Sequence, residues 1–168
     1  MQRTKSIKKI VVGIDGSKAA GEALALSIQL ARQTGAQIVA VFAVPPHSSA
    51  EFLGLAPMPG LQLNPEFQAE LESAFKEEWC RPLAEAGVRY RTVFGHGRPA
   101  FVIDEVAQAE DADLVIVGRR GRGEIAELML GSVSHELSHR CIKPVLLVSP
   151  AKAPREEPAP ATARAARG

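Results

Sequence analysis

Short, nearly unbroken apolar runs alternate along the chain with longer segments whose apolar residues recur every three or four positions. "KKIVVGID" is β-branched and ends in an Asp-Gly turn, which predicts a first strand. "SKAAGEALALSIQLARQTG" places Ala20, Leu24, Ile28 and Ala31 on one helical face, with Ser17 suited to its N-cap and Gly35 to its stop. "AQIVAVFAV" is apolar throughout, as a strand covered on both faces should be. A second helical segment carries Phe67, Leu71, Phe75, Trp79 and Leu83 at i,i+4 spacing, a core stripe that Pro82 is expected to bend or break near its end. "VRYRTVF" predicts a third strand and "RPAFVIDEVAQAED" a third helix, with Pro99 in the first turn where its missing N–H costs nothing. "ADLVIVG", "GSVSHELSHRCI" and "PVLLVS" complete the series as strand, helix and strand. The order βαβαβαβαβ predicts an α/β fold, a doubly wound parallel sheet with helices on both faces.

Two stretches fall outside this rhythm. Pro45–Pro65, "PPHSSAEFLGLAPMPGLQLNP", predicts a long loop. From Ala151 the chain is rich in Ala, Pro and Arg without periodicity, so residues 1–150 are expected to form one domain and residues 151–168 a disordered tail.

Composition narrows the class. With 46% hydrophobic and 23% charged residues and a formal net charge of +1, the chain has ordinary globular composition. It carries no basic footprint for nucleic acid and no apolar run long enough to insert in a membrane. The basic N-terminus leads into a strand and does not read as a signal peptide. Cys80 and Cys141 match no paired motif, so reduced thiols in a cytoplasmic protein are expected.

In open parallel sheets ligands bind beyond the carboxyl ends of the strands. There the sequence offers Asp15-Gly16, Ala43-Val44-Pro45, Gly95-His96-Gly97 and a segment opening at Gly118. That last segment, "GRRGRGEIAELMLGSVS", carries Gly118, Gly121 and Gly123 and then Gly131-Ser132 at a helix start. Glycines let backbone approach a polyphosphate closely, and a helix start supplies N–H groups and partial positive charge. Arg119, Arg120 and Arg122 add charge or serve as solvated loop arginines. No Gly-Lys-Ser/Thr follows at the spacing of a Walker A loop.

At these residues the sequence resembles the universal stress protein family, whose ATP-binding members carry Gly-x2-Gly-x9-Gly-Ser/Thr after the fourth strand. Gly118, Gly121, Gly131 and Ser132 fit that spacing without a gap, and Asp15, "GRP", "DADLVIVGRRG" and "GSVS…KPVLLV" agree with it over roughly Lys8 to Pro150, excluding the long central loop. The resemblance implies a five-stranded sheet of order 3-2-1-4-5 in the three-layer adenine-nucleotide alpha-hydrolase-like sandwich. It implies binding of ATP or another adenine nucleotide, with Mg2+. Carried over by position, the binding set is Asp15, Ala43, Gly118, Arg119, Gly121, Gly131, Ser132, Val133 and Ser134. Asp15 and the backbone near Ala43 would face adenosine, Gly118 and Gly121 the ribose and phosphates, and Gly131, Ser132 and Ser134 the phosphates. For Asp15 the plain alternative is a turn or capping residue ahead of Ser17. The resemblance also implies a homodimer through the fifth strand, Pro144–Ser149, and a role as a nucleotide-dependent module in stress response.

Two other motifs compete. "GHGRPA" has the form of a dinucleotide fingerprint, but it follows the third strand, and the next strand ends in Gly118 where an acidic ribose ligand should stand. His135-Glu136-Leu137-Ser138-His139 spells the zinc-protease H-E-x-x-H. At about 100° per residue, however, Val133, Leu137 and Cys141 form the packing stripe and the histidines fall on roughly the opposite side. Ile142 and Val145 occupy the extended motif's glycine and third-histidine positions, so the pair is expected to bind metal only adventitiously. No catalytic constellation is evident. The alternatives to a regulatory nucleotide binder are a slow ATPase or phosphotransferase, and a nucleotide-free scaffold for an unknown protein partner.

Overall fold

The apolar runs become the strands of a single sheet in a computed structural model that describes residues 6–45, 65–120 and 130–150. The strands are β1 (Lys9–Gly13), β2 (Gln37–Val44), β3 (Tyr90–His96), β4 (Leu114–Gly118) and β5 (Val145–Val148). All pair in parallel, in the spatial order β3-β2-β1-β4-β5. The helices are α1 (Lys18–Thr34), α2 (Pro65–Ser73), α3 (Arg81–Glu85), α4 (Pro99–Ala109) and α5 (Ser132–Arg140). The expected tail after Pro150, most of the expected loop after Pro45, and Gly121, Arg122 and Gly123 lie outside the described residues.

Strand periodicity sorts the core into two layers. Ile10, Val12, Ile38, Ala40, Phe42 and Ile116 pack against Ala23 and Leu24 of α1 and against Leu71, Phe75 and Leu83. Their neighbours Val11, Val39, Val41, Val115 and Val117 pack against Ala100, Ile103 and Ala107 of α4 and Leu137 of α5. Burying each of the larger side chains contributes about 1.5–3 kcal/mol before chain entropy is subtracted. β1, β2 and β4 lie between the two helical layers, which explains why their sequences are apolar at nearly every position. The three-layer, doubly wound architecture is the expected one.

The ends of α1 match their sequence signals. The Ser17 hydroxyl accepts from the Ala20 N–H at 3.2 Å, and Gly35 closes the helix with φ 73°, a left-handed conformation that favours glycine. The second helical segment differs from its expected form. α2 gives way at Ala74 to a π-helical turn through Trp79, and the break falls at Cys80, ahead of Pro82, which sits harmlessly in the first turn of α3. The wide turn, with the Cys80 N–H donating to the Phe75 carbonyl, keeps Phe75 and Trp79 around Phe42 at ring distances of 5.8 and 5.4 Å. The stripe itself is core, as its spacing indicates: Leu71, Phe75 and Leu83 are buried, and Phe67 and Trp79 pack against them.

At the end of the sheet opposite the carboxyl ends of the strands, Glu110 joins Lys9, at 2.8 Å, and Arg91. The hydrogen bond from Lys9, helped by Arg91, holds the Glu110 carboxyl below its usual 4.5. A depressed folded-state value means this stabilisation is complete above the unfolded value and is lost as pH falls through the folded one. Glu110→Gln should therefore narrow the stability difference between pH 7 and pH 3, costing at most about 1 kcal/mol at neutrality and nothing at low pH. Urea unfolding at the two pH values checks this; an equal loss at both would contradict it.

Candidate functional site

The chain leaves β1 toward β2 on one side and leaves β4 toward β5 on the other, so the sheet's switch point lies between the carboxyl ends of β1 and β4. Beyond β1, Gly16 takes φ 76° and the Asp15 Oδ1 accepts from the Ser17 N–H at 2.9 Å. This short turn delivers the chain into α1 and fixes one oxygen of a partly exposed carboxylate at the edge of the site. β1 pairs with β2 as far as Gly13–Val41, and β2 runs on through Ala43, opposite Gly95, and Val44, opposite His96. Ala43 is thus a wall two positions beyond the last β1 partner, and it is buried.

Gly118 closes β4 where three elements meet. A Cβ there would stand 2.8 Å from the carbonyl carbon and Cβ of Ala19 and 2.9 Å from the Ala20 nitrogen, so only glycine lets β4 end against the start of α1. Next to it, the Arg119 N–H donates to the Val148 carbonyl and the Arg119 carbonyl accepts from the Gly131 N–H at 3.0 Å. These bonds bring the start of α5 directly beside the end of β4.

α5 begins without a side-chain cap. Gly131 is its N-cap, and the first N–H to find a helical acceptor is that of His135, bonded to the Gly131 carbonyl at 2.9 Å. The N–H groups of Ser132, Val133 and Ser134 precede it, beside the exposed Ser132 side chain. Uncapped donors and the helix dipole together favour an anion.

Ser134 has a different part from the phosphate contact that the resemblance implies. It is 1% exposed, and its hydroxyl donates to the carbonyls of Gly118 at 2.7 Å and Arg119 at 3.0 Å. A serine has one proton to give, and here it joins α5 to β4. Of the implied set, the structure brings together Asp15, Ala43, Gly118, Arg119, Gly131, Ser132, Val133 and Ser134 around the ends of β1, β2 and β4. Gly121 lies outside the described residues.

Sequence reasoning missed the strut that orients α5. Arg140 pairs with Asp104 of α4 at 3.3 Å, Arg98 pairs with Glu136 at 2.9 Å, and the two guanidiniums stand 3.4 and 4.8 Å from the Phe101 ring centre. The signal was Asp104 on the buried stripe Ala100, Ile103, Asp104 and Ala107, since a buried carboxylate requires a partner. Both arginines line an open groove of about 580 Å³ between α4 and α5, with Ser132, His135, Glu136 and His139.

The fold also places the two competing motifs. β3 is an edge strand, so "GHGRPA" stands away from the switch point, and Gly95 is small because a Cβ would lie 2.6 Å from Val102. His135 and His139 are exposed, and no group of three or more His, Cys, Asp or Glu side chains among the described residues could hold a metal. Burial pushes the Cys80 thiol up to about 12 and raises that of Cys141, which disfavours either as a nucleophile. Among the described residues, no helix is long and apolar enough to cross a membrane.

A five-stranded parallel sheet of order 3-2-1-4-5, with the start of a helix lacking a side-chain cap at its switch point, defines an α/β module of the doubly wound class. The chain belongs to the universal stress protein family, whose model matches residues 6–149. It is 33% identical over 149 residues to the universal stress protein YxiE of Bacillus subtilis, covering 83% of this chain and 97% of that one. It is 31% identical over 150 residues to the universal stress protein MJ0531 of Methanocaldococcus jannaschii, covering 89% and 85%. Among solved structures, a universal stress protein in complex with cAMP aligns with TM-score 0.65 and 24% identity over 88% of this chain and 100% of its own. Another, from Archaeoglobus fulgidus in complex with dAMP, aligns with TM-score 0.63 and 18% identity over 86% and 99%. These two likenesses speak for the fold.

Two substitutions probe the junction. Gly118→Ala should destabilise by about 1–3 kcal/mol through overpacking against Ala19. Ser134→Ala should cost about 1–3 kcal/mol, because the tie from α5 to the Gly118 and Arg119 carbonyls is lost. Denaturant unfolding checks both; neutral effects would show that the junction is slack.

Proposed function

We propose that the protein binds an adenine nucleotide, ATP with Mg2+, at the switch point and acts as a nucleotide-dependent regulatory module in stress response. The observation that carries this reading is the uncapped start of α5 beside Gly118 and Arg119. Phosphates placed there accept from the N–H groups of Ser132 and Val133, while adenosine lies toward Asp15 and the wall at Ala43. The adenine nucleotides bound by two proteins of this fold support the choice of ligand. Regulation then needs only that the nucleotide bind one conformation or assembly better than another. The free cysteines fit a reducing, cytoplasmic setting.

Ser132→Asp separates ligand binding from folding. A carboxylate in the first turn of α5 should stabilise the helix by about 0.3–1 kcal/mol. The same charge repels phosphate, so calorimetric titration should show ATP affinity reduced about tenfold or more. Unchanged affinity in this variant, or no binding by the parent protein at millimolar Mg-ATP, would contradict the reading.

We also propose a homodimer through the edge of β5. Among the described residues this strand pairs with β4 alone, and Leu146 on it is 37% exposed. An open, apolar parallel edge invites pairing with another copy. Light scattering at tens of micromolar should give a dimer for the parent and a monomer for Leu146→Arg; a monomeric parent would refute the assembly.

A further inference from the structure

His135 and His139 lie one turn apart on α5, with ring centres 4.7 Å apart and planes at 61°. Both are exposed, and neither imidazole forms a hydrogen bond or ion pair among the described residues. They share a helical face with Ser132 and open onto the groove between α4 and α5. Positive charge in that groove is already balanced, because Arg98 is held by Glu136 and Arg140 by Asp104. The first of these pairs commits the Glu136 carboxylate to Arg98. What the groove leaves uncommitted is a pair of imidazoles on one face of α5.

We propose that His135 and His139 form a two-imidazole site for a divalent d-block cation of the Zn2+, Ni2+ or Cu2+ kind. Imidazole suits these ions, whereas Mg2+ and Ca2+ prefer oxygen donors. Exposed side chains change rotamer freely, and i,i+4 placement lets one nitrogen of each ring approach a single ion from the same side at about 2.0–2.1 Å. With two protein ligands the ion keeps open positions, which the groove has room to fill with water or an exogenous oxygen donor. The site does not depend on the nucleotide reading, and it differs from a protease centre in lacking a third ligand and a carboxylate aimed at bound water.

Calorimetric titration of Ni2+ into chelator-stripped full-length protein, with no nucleotide present, tests the proposal. One site per chain is expected, unaffected by excess Mg2+. His135→Ala and His139→Ala should each weaken binding about tenfold or more. His96→Ala should leave it unchanged, since that ring packs edge-on against Phe94. Circular dichroism verifies that each variant is folded, as alanine at exposed helix positions favours. No binding by the parent at millimolar Ni2+, or an unaltered isotherm for the double variant, would overturn the site.

Discussion

A methyl group at position 118 would collide with the backbone of Ala19 and Ala20, and the arrangement of the proposed binding site depends on that contact. The absent Cβ lets β4 end flush against the first turn of α1. The Gly118 carbonyl is then free to accept from Ser134, and the Arg119 carbonyl to accept from both Ser134 and Gly131. The turn after β1, the end of β4 and the start of α5 are fixed relative to one another by these few bonds. Moving any of them would separate the Asp15 edge from the donors that begin α5.

α5 contributes little apolar burial of its own, with Ser134 and Leu137 as its buried residues. Its direction is set instead by charge and stacking against α4, where Phe101 lies between two paired guanidiniums. A short helix held this way can keep its first N–H groups uncapped, because its stability does not depend on an N-terminal side-chain cap. Elsewhere in the chain the opposite choice is made: α1 is capped by Ser17 and carries no ligand donors of this kind.

The strands and α1 were legible because each apolar run has a length and a boundary residue that admit one reading. The whole core stripe from Phe67 to Leu83 was legible for the same reason, as spacing reports burial. Spacing could not report the extra residue in the π-helical turn, which arises from how Phe75 and Trp79 fit around Phe42, far away in sequence. The placement of Gly118, Gly131 and Ser132 at a strand end and a helix start was legible in the sequence, but the inward direction of Ser134 was not. A serine near a helix start suits a ligand and a neighbouring carbonyl equally well, and the tertiary placement of β4 decided between them. Asp104 and Arg140 were overlooked because 36 positions separate them and each alone resembles a solvated charge.

Membership of the universal stress protein family and the parallel fold fit together with the proposed anion site, which is made from backbone more than from side chains. Such a site recognises phosphate by geometry, which explains why no Walker lysine is needed to make the reading coherent. The most direct test is a nitrogen–proton correlation spectrum recorded during Mg-ATP titration. The account predicts that the amide signals of Ser132, Val133 and Gly16 shift together and saturate at one concentration, with Ser132 and Val133 moving as hydrogen-bond donors do. Shifts confined to residues away from α5 and the end of β1, or none at saturating nucleotide, would contradict it.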